Sequence, residues 1–243
     1  MPTRIIIAAI FCLLMSFGAF GQAVTITSKT QTYTRTKPII PEKRTFTVRR
    51  PVVKAATPSL SRKINAAIDP VAVLGIDIKD ELNESQWLYE ADFKEVFNDK
   101  GILTLMVWME GSGAYPSGVT KYVVVDIRRG ELMKPSDVFA DIPGLVAAAK
   151  GKLKQRIEDG IKEIKSDPDW DDEDDPRHLF EDNDFTADDL ANFSVDMAGL
   201  AFHYEFGFPH VIKAIEPDGE FRFSWDEIKP FIKPGSLLAK PVR

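Results

Sequence analysis

The sequence predicts an α+β fold in which an antiparallel sheet of hairpins packs with one long helix and several short helices. Alternating apolar residues over 87–93, a polar turn at 98–101 and an apolar return over 102–108 indicate a β-hairpin. Between 145 and 161 an apolar residue recurs every four positions, which is typical of a long helix. Because strand-like segments do not alternate strictly with helices, antiparallel pairing is favoured.

Residues 1–23 predict a cleavable secretory signal peptide. Arg4 gives the start a positive charge, residues 5–20 are almost wholly apolar, and Ala19 and Gly21 are the small residues that a signal peptidase requires. We expect cleavage before Gln22, with cleavage after Ala23 as the second choice. A membrane anchor is disfavoured because the apolar run is shorter than the roughly 20 residues of a spanning helix. The mature protein is therefore expected to be exported, periplasmic or secreted, with no stable membrane span.

Two further segments follow the predicted signal peptide. Residues 24–43 are rich in Thr, Lys and Pro, which predicts a flexible tether, although the alternating threonines leave an edge strand as the alternative. Residues 44–243 form the predicted α+β domain. It opens with an alternating strand at 45–48 and a short helix that ends near Ile68.

The remaining elements are predicted in chain order from local signals. After the hairpin, residues 111–118 form a loop because of their glycines, and residues 119–127 form a third strand. Asp141 and Pro143 open the long helix, which ends near Ser166 ahead of Pro168. Short helices are predicted at 186–192 and 225–232, and strands at 200–206 and 220–223.

Composition restricts both stability and partners. Cys12 is the only cysteine and lies in the predicted signal peptide, so disulfides cannot hold the mature chain. Residues 24–63 carry ten Lys and Arg against one acid, whereas residues 64–243 carry twenty against thirty-six, a net charge of −16. Nucleic acid and anionic lipid are poor partners for so acidic a body, and a basic protein or a cation is favoured.

Catalytic and metal-binding motifs do not emerge from the sequence. The three histidines, His178, His203 and His210, lack the spacing of a zinc site, and the acidic stretch 167–175 fits no EF-hand register. Ser112 lies between glycines, but Glu110 and Ala114 occupy the positions where a nucleophile elbow needs glycine. We therefore predict a non-enzyme without metal or cofactor. The alternative is an envelope hydrolase that uses acidic residues near the 111–118 loop.

Several stretches across residues 44–240, taken together in their order and spacing, resemble one family. They are 62–68, 97–104, Gly113-Ala114-Tyr115-Pro116, 126–132, 136–139 and 200–232. The sequence is similar to the RsiV-like extracellular domain of unknown function, the outer domain of lysozyme-responsive anti-sigma factors, which is related to a domain preceding some peptidoglycan deacetylases. The chain departs from this family in having only four residues before the apolar run and a divergent loop at 206–211. The resemblance therefore implies a stand-alone binding or sensing domain, and the divergent loop disfavours lysozyme recognition.

The candidate binding residues are those that glycine- and proline-bearing loops or the acidic stretch would present. They are Ser112, Tyr115 and Pro116 in the first loop, Phe208 and His210 in the late loop, and Trp170 in the acidic stretch. Rigid aromatic side chains suit interface anchors, although Tyr115, Phe208 and Trp170 could equally pack back onto the domain. The predicted function is an exported non-catalytic binding or sensing domain of the bacterial cell envelope. Its predicted partner is a basic protein, such as a lysozyme-like ligand, or cell-wall material.

Overall fold

The structure, a computed structural model of the 243-residue chain, describes residues 23–168, 170 and 175–239. The predicted signal peptide, apart from Ala23, and most of the acidic stretch lie outside the described residues. In the described ranges, none of the helices combines the length and the apolar character needed to cross a membrane.

Six strands form the larger sheet in chain order. They are β1 (Thr25–Thr34), β2 (Thr45–Lys54), β3 (Leu88–Asp99), β4 (Ile102–Ser112), β5 (Pro116–Asp126) and β6 (Glu131–Leu132). Four of the five strand junctions are antiparallel, and β3–β4–β5 are long hairpin partners joined by tight turns. At the first of these turns, Lys100 and Gly101 both have positive φ, which matches a short hairpin connection.

The junction between β2 and β3 is parallel, so the sheet is mixed and the predicted all-antiparallel pairing is wrong at this point. The parallel contact is short, pairing Thr47 with Glu90 and Val48 with Ala91. Three helices fill the connection: α1 (Pro58–Ala67), α2 (Pro70–Leu74) and α3 (Ile78–Asn83). A parallel pair needs such a crossover because the chain must return to the same end of the sheet. The α+β class itself is confirmed.

The second half of the chain combines the long helix with a small sheet. Its helices are α4 (Pro135–Val138), α5 (Ile142–Lys165) and α6 (Trp225–Ile228), and its strands are β7 (Phe193–Val195), β8 (Gly199–His203) and β9 (Glu220–Ser224). The 3-10 helices among the described residues are Pro41–Lys43, Pro176–Phe180, Asp189–Ala191, His210–Ile215, Lys229–Phe231 and Leu237–Ala239. As predicted, Asp141 caps α5, where its side chain accepts a hydrogen bond from Gly144 N, and Pro143 lies in the first turn.

Two hydrophobic cores lie on opposite faces of the larger sheet. The first core joins apolar side chains of β2–β5 to Ile64, Ile68 and Leu74 of the crossover helices. The second core joins α5 and the small sheet to Ile102 and Val124, which point from the other face of β4 and β5. Leu145, Ala149 and Leu153 of the predicted helical stripe are fully buried in this second core.

The segment 24–43 is not a flexible tether, and the edge-strand alternative is the one that the structure shows. Strand β1 pairs with β2 over ten consecutive residues. Arg35 follows it, with a side chain that is completely buried and donates to the carbonyl oxygens of Lys43, Glu81 and Leu88 at 2.6, 2.8 and 2.9 Å. Glu81 and Leu88 lie 46 and 53 positions away in sequence, so composition alone could not indicate that the segment is ordered.

Candidate functional site

The predicted 111–118 loop is mostly strand. Strand β4 continues to Ser112, β5 begins at Pro116, and these two residues are paired, so that only residues 113–115 turn the chain. Within the turn, Gly113 N donates to Tyr115 O at 3.2 Å. The hairpin tip, which we define as residues 111–117, is therefore a closely supported turn rather than an open loop.

Neighbouring elements fasten the hairpin tip from one side. Ser112 N donates to Trp87 O at 2.9 Å, and the Lys43 ammonium donates to Ser112 O. The Trp87 indole lies over Gly111 and donates from Nε1 to Ser117 Oγ at 3.2 Å. A Cβ on residue 111 would overlap Trp87 O and the indole ring, so this close approach requires glycine. The tip is held as part of the sheet.

Tyr115 and His210 come together from the two halves of the molecule. Their ring centroids lie 4.5 Å apart with an interplanar angle of 51°. Tyr115 is 59% exposed, His210 is exposed at the start of its 3-10 helix, and the adjacent Val211 is 84% exposed. The structure thus unites two of the predicted binding residues in one exposed aromatic pair, beside Ser112 and Pro116.

Phe208 does not belong to this surface, and its predicted role as an exposed anchor is wrong. It is only 5% exposed and packs edge-on against Phe180 at 5.2 Å between ring centroids. The backbone amides of Gly207 and Phe208 both donate to Glu216 Oε1, and Gly207 has φ of 75°, which turns the chain inward. Phe208 therefore stabilises the second core.

Trp170 is partly buried against the second core. This agrees with the alternative that its ring packs back onto the domain. The described residues contain no group of three or more His, Cys, Asp or Glu side chains placed to hold a metal ion. Residues 169 and 171–174 of the acidic stretch, on which a calcium site would depend, lie outside the described part of the chain.

A second cluster, which the sequence did not single out, surrounds His203. Its ring stacks on Tyr122 at 3.5 Å with an interplanar angle of 7°, and its Nε2 lies 2.8 Å from Ser194 Oγ. Burial lowers the pKa of His203 to about 4, so the ring is neutral at neutral pH. Burial also raises the pKa of Tyr122. The only local signal for this cluster was a histidine among the alternating residues of a predicted strand. Its stacking partner, Tyr122, lies eighty-one positions away, so the sequence could not bring the two together.

The Ser194–His203 pair does not form a hydrolytic site. Ser194 is 4% exposed, so its hydroxyl cannot reach a substrate carbonyl. In the described part of the chain, no carboxylate hydrogen-bonds to the His203 ring, as the third member of a triad would. The hydrogen bond instead satisfies the buried Ser194 hydroxyl and the partly buried His203 ring where the small sheet meets β5.

A charged cavity of about 320 Å³ lies near β6. Arg128, Arg129 and Lys233 line it together with acidic residues. Arg128 pairs with Asp126 at 3.4 Å and Arg129 with Glu131 at 2.7 Å, while Lys233 donates to Ser136 O. Because Asp126, Glu131 and Asp137 balance the three cations of its lining, this cavity has no net charge to attract an anionic ligand.

The fold is similar to two solved structures of bacterial proteins. One is a member of the DUF3298 family from Bacteroides fragilis NCTC 9343, with a TM-score of 0.57, 14% identity, and coverage of 92% of this chain and 98% of the other. Another is a DUF3298 family protein from Pseudomonas aeruginosa PAO1, with a TM-score of 0.53, 11% identity and coverage of 90% and 98%. No protein-family model matches this sequence, and no curated protein is significantly similar to it. The chain therefore has the fold of DUF3298 proteins, a domain of unknown function.

Proposed function

We propose that this protein is an exported, non-catalytic binding domain of the bacterial cell envelope, and that it holds a basic protein at the hairpin tip. The observation that carries the proposal is the exposed pair of Tyr115 and His210, whose rings lie 4.5 Å apart. Ser112 and Pro116 flank this pair on the paired ends of β4 and β5.

Rigidity of the tip supports a role as an interface anchor. An aromatic side chain that is already oriented buries a large area on binding and loses little conformational entropy. Tyr115 is oriented by the His210 ring, and the turn beneath it is held by Trp87 and Lys43. The exposed Val211 adds apolar area beside His210. Such a cluster has the properties of a binding hot spot.

Charge supports a basic partner. The body of the chain from residue 64 onward has a net charge of −16. Near the tip, Glu110 is exposed on β4 and faces Glu90 across the β3–β4 pair. Such a surface attracts a basic protein over long range and accelerates its association. The resemblance to the RsiV-like extracellular domain supports the same class of function.

The first experiment measures binding of the exported chain to immobilised hen egg-white lysozyme and, separately, to cytochrome c, both used as basic probes. We expect binding to at least one of them, with Tyr115→Ala and His210→Ala each weakening it about tenfold, which corresponds to about 1.4 kcal/mol. Met197→Ala is the matched control, because Met197 is also an exposed apolar residue, at 57%. It should change the affinity less than about twofold, and all three variants should melt like the wild type.

The other outcomes separate the remaining possibilities. Co-sedimentation with purified peptidoglycan sacculi, without binding to either basic protein, would assign cell-wall material as the ligand. Release of soluble fragments from those sacculi, abolished by Glu110→Gln, would establish the hydrolase alternative instead. Full-affinity binding by a stable Tyr115→Ala, His210→Ala double variant would remove the hairpin tip from the site.

A further inference from the structure

The edge of β5 that faces away from β4 is only partly covered. Strand β6 pairs with β5 at Val125 and Asp126, and Met133 N donates to Val124 O at 2.7 Å. Toward the start of β5 this edge opens into a groove of about 560 Å³. The groove runs between α2 and the segment 188–192.

The hydrogen-bonding groups of this edge point into the groove. Tyr122 N donates away from β4, to Asn192 Oδ1 at 2.9 Å, and Val124 O accepts on the same side. Because the direction of the backbone groups alternates along a strand, the N–H and C=O groups of Gly118 and Thr120 face this side as well. Among the described residues, no backbone group pairs with them there. An open edge of this kind is a template for an additional strand.

The two walls of the groove differ in chemistry. One wall is apolar and includes Val73 and Leu132. Lys121, the charge that would guard this edge, is folded onto α2, where its ammonium donates to Val73 O at 3.3 Å. The opposite wall carries Asp188 and Glu205, which form no ion pair with any Lys or Arg of the described ranges.

We propose that this groove binds an extended peptide segment of a partner protein as an added strand on β5. Side chains of a strand alternate between its two faces. The bound segment therefore alternates basic residues, directed to Asp188 and Glu205, with apolar residues, directed to Val73 and Leu132. The two carboxylates favour a segment with basic side chains, and the unpaired backbone groups of β5 favour a segment in the extended conformation. This site is separate from the hairpin tip and stands whether or not the tip binds a ligand.

The test uses a fluorescein-labelled heptapeptide in which valine and lysine alternate, and a second one in which glutamate replaces each lysine. Fluorescence anisotropy with the full exported chain should show the lysine peptide binding at least about tenfold tighter than the glutamate peptide. The Asp188→Asn, Glu205→Gln double variant should lose about tenfold in affinity for the lysine peptide. Glu84→Gln with Asp182→Asn makes the same charge change at exposed positions outside the groove, and should lose less than about twofold.

A second pair of measurements tests strand addition itself. Thr120→Pro removes one outward N–H and leaves the β4-facing bonds of Val119 and Lys121 in place, so peptide binding should fall by about tenfold or more. In the wild type, the lysine peptide should slow hydrogen exchange of the Gly118 and Thr120 amides and leave the Val119 amide unchanged. Tyr115→Ala should bind the peptide like the wild type.

The proposal is overturned by any of three results: no binding of the lysine peptide, equal binding of the two peptides, or binding without protection of the Gly118 and Thr120 amides. The exchange measurement needs no variant, so it decides the matter even if Thr120→Pro fails to fold. Loss of lysozyme or cytochrome c binding with the peptide result intact would remove only the function proposed for the tip.

Discussion

The two cores of this protein are organised by different interactions. In the first, a buried guanidinium joins segments that are distant in sequence: Arg35 bonds three carbonyl oxygens and the Glu81 carboxylate, and it lies over the Phe46 ring at 4.7 Å. The second is dominated by six phenylalanine rings in tilted or edge contact, with centroids 5.7 to 6.4 Å apart. They are Phe139, Phe185, Phe193, Phe202, Phe221 and Phe223.

This difference reflects what each segment has available to bury. Strand β1 and the turn after it contain few large apolar residues, so directional hydrogen bonds fix their position. The second half of the chain is rich in phenylalanine, which supplies area and packing without a directional partner. A polar network specifies one arrangement, whereas an aromatic core tolerates small adjustments. The loss of a single group should therefore cost more in the first core.

The largest expected effect is on Arg35. Arg35→Met removes the guanidinium, which leaves three buried carbonyl oxygens without its N–H groups and the Glu81 carboxylate without its counter-charge, with Leu88 N still donating to it. We expect the free energy of unfolding to fall by about 3–5 kcal/mol in denaturant titrations. Arg49→Met is the matched control, because Arg49 also pairs with a carboxylate and lies over a phenylalanine ring, but its side chain is 41% exposed. It should cost less than about 1 kcal/mol. Equal losses would mean that burial of the Arg35 guanidinium and its partners does not raise the cost of losing it.

The next effect concerns the boundary of the second core and depends on pH. Burial lowers the pKa of His203 to about 4 in the folded protein, while an unfolded histidine titrates near its ordinary value of 6.5. Between these values the unfolded state binds more protons, so stability is complete above pH 6.5 and is lost as the pH falls toward 4. The loss should reach about 3 kcal/mol, since a tenfold change in proton affinity corresponds to about 1.4 kcal/mol.

The measurement compares the pH dependence of unfolding in the wild type and His203→Phe. The variant retains a ring to stack on Tyr122 but cannot titrate, so its stability should fall less between pH 7 and pH 4. If His203→Phe keeps the wild-type pH dependence, the burial of His203 does not govern its protonation.

The smallest effect is expected at Thr104, where the cores meet. Thr104 is completely buried, and its Oγ1 has no hydrogen-bond partner among the described residues. Thr104→Val keeps the shape and removes an unsatisfied hydroxyl, so thermal unfolding should show a gain of about 1 kcal/mol. Thr120→Val is the control. Thr120 is exposed and lies on β5, four residues before the cross-strand partner of Thr104 and on the same face of the sheet, so its replacement should show little change. A loss at Thr104 would mean that its hydroxyl has an unrecognised partner.

Much of the fold could be predicted because its signals are local. The stripe of Leu145, Ala149 and Leu153 with the Asp141 cap defined α5, and the turn before Gly101 defined the first hairpin. Strand β1 was interpreted as a tether because its order depends on Arg35, whose partners are up to 53 positions away. The parallel β2–β3 contact was also missed, because no local pattern distinguishes a crossover from a loop.

At the candidate site, too, local sequence signals predicted some features and long-range contacts decided the others. Tyr115 and Phe208 each lie within two residues of a glycine and directly before a proline, so local sequence cannot decide which of the two rings is exposed. Packing against Phe180 buries Phe208, and the hairpin extends Tyr115 into solvent, where it contacts His210. The free edge of β5 could not be anticipated either, since it exists only because β6 is short.

By itself, the sequence determined the α+β class, the long helix, the central hairpins and the acidic body. These features follow from periodicity, capping and composition, which act over a few residues or over the whole chain at once. Only the tertiary structure decided that β1 is ordered, that Tyr115 meets His210, that Phe208 is core and that one edge of β5 is open. Each of these depends on contacts between residues distant in sequence, and the free energy of such contacts is set by burial in the assembled fold.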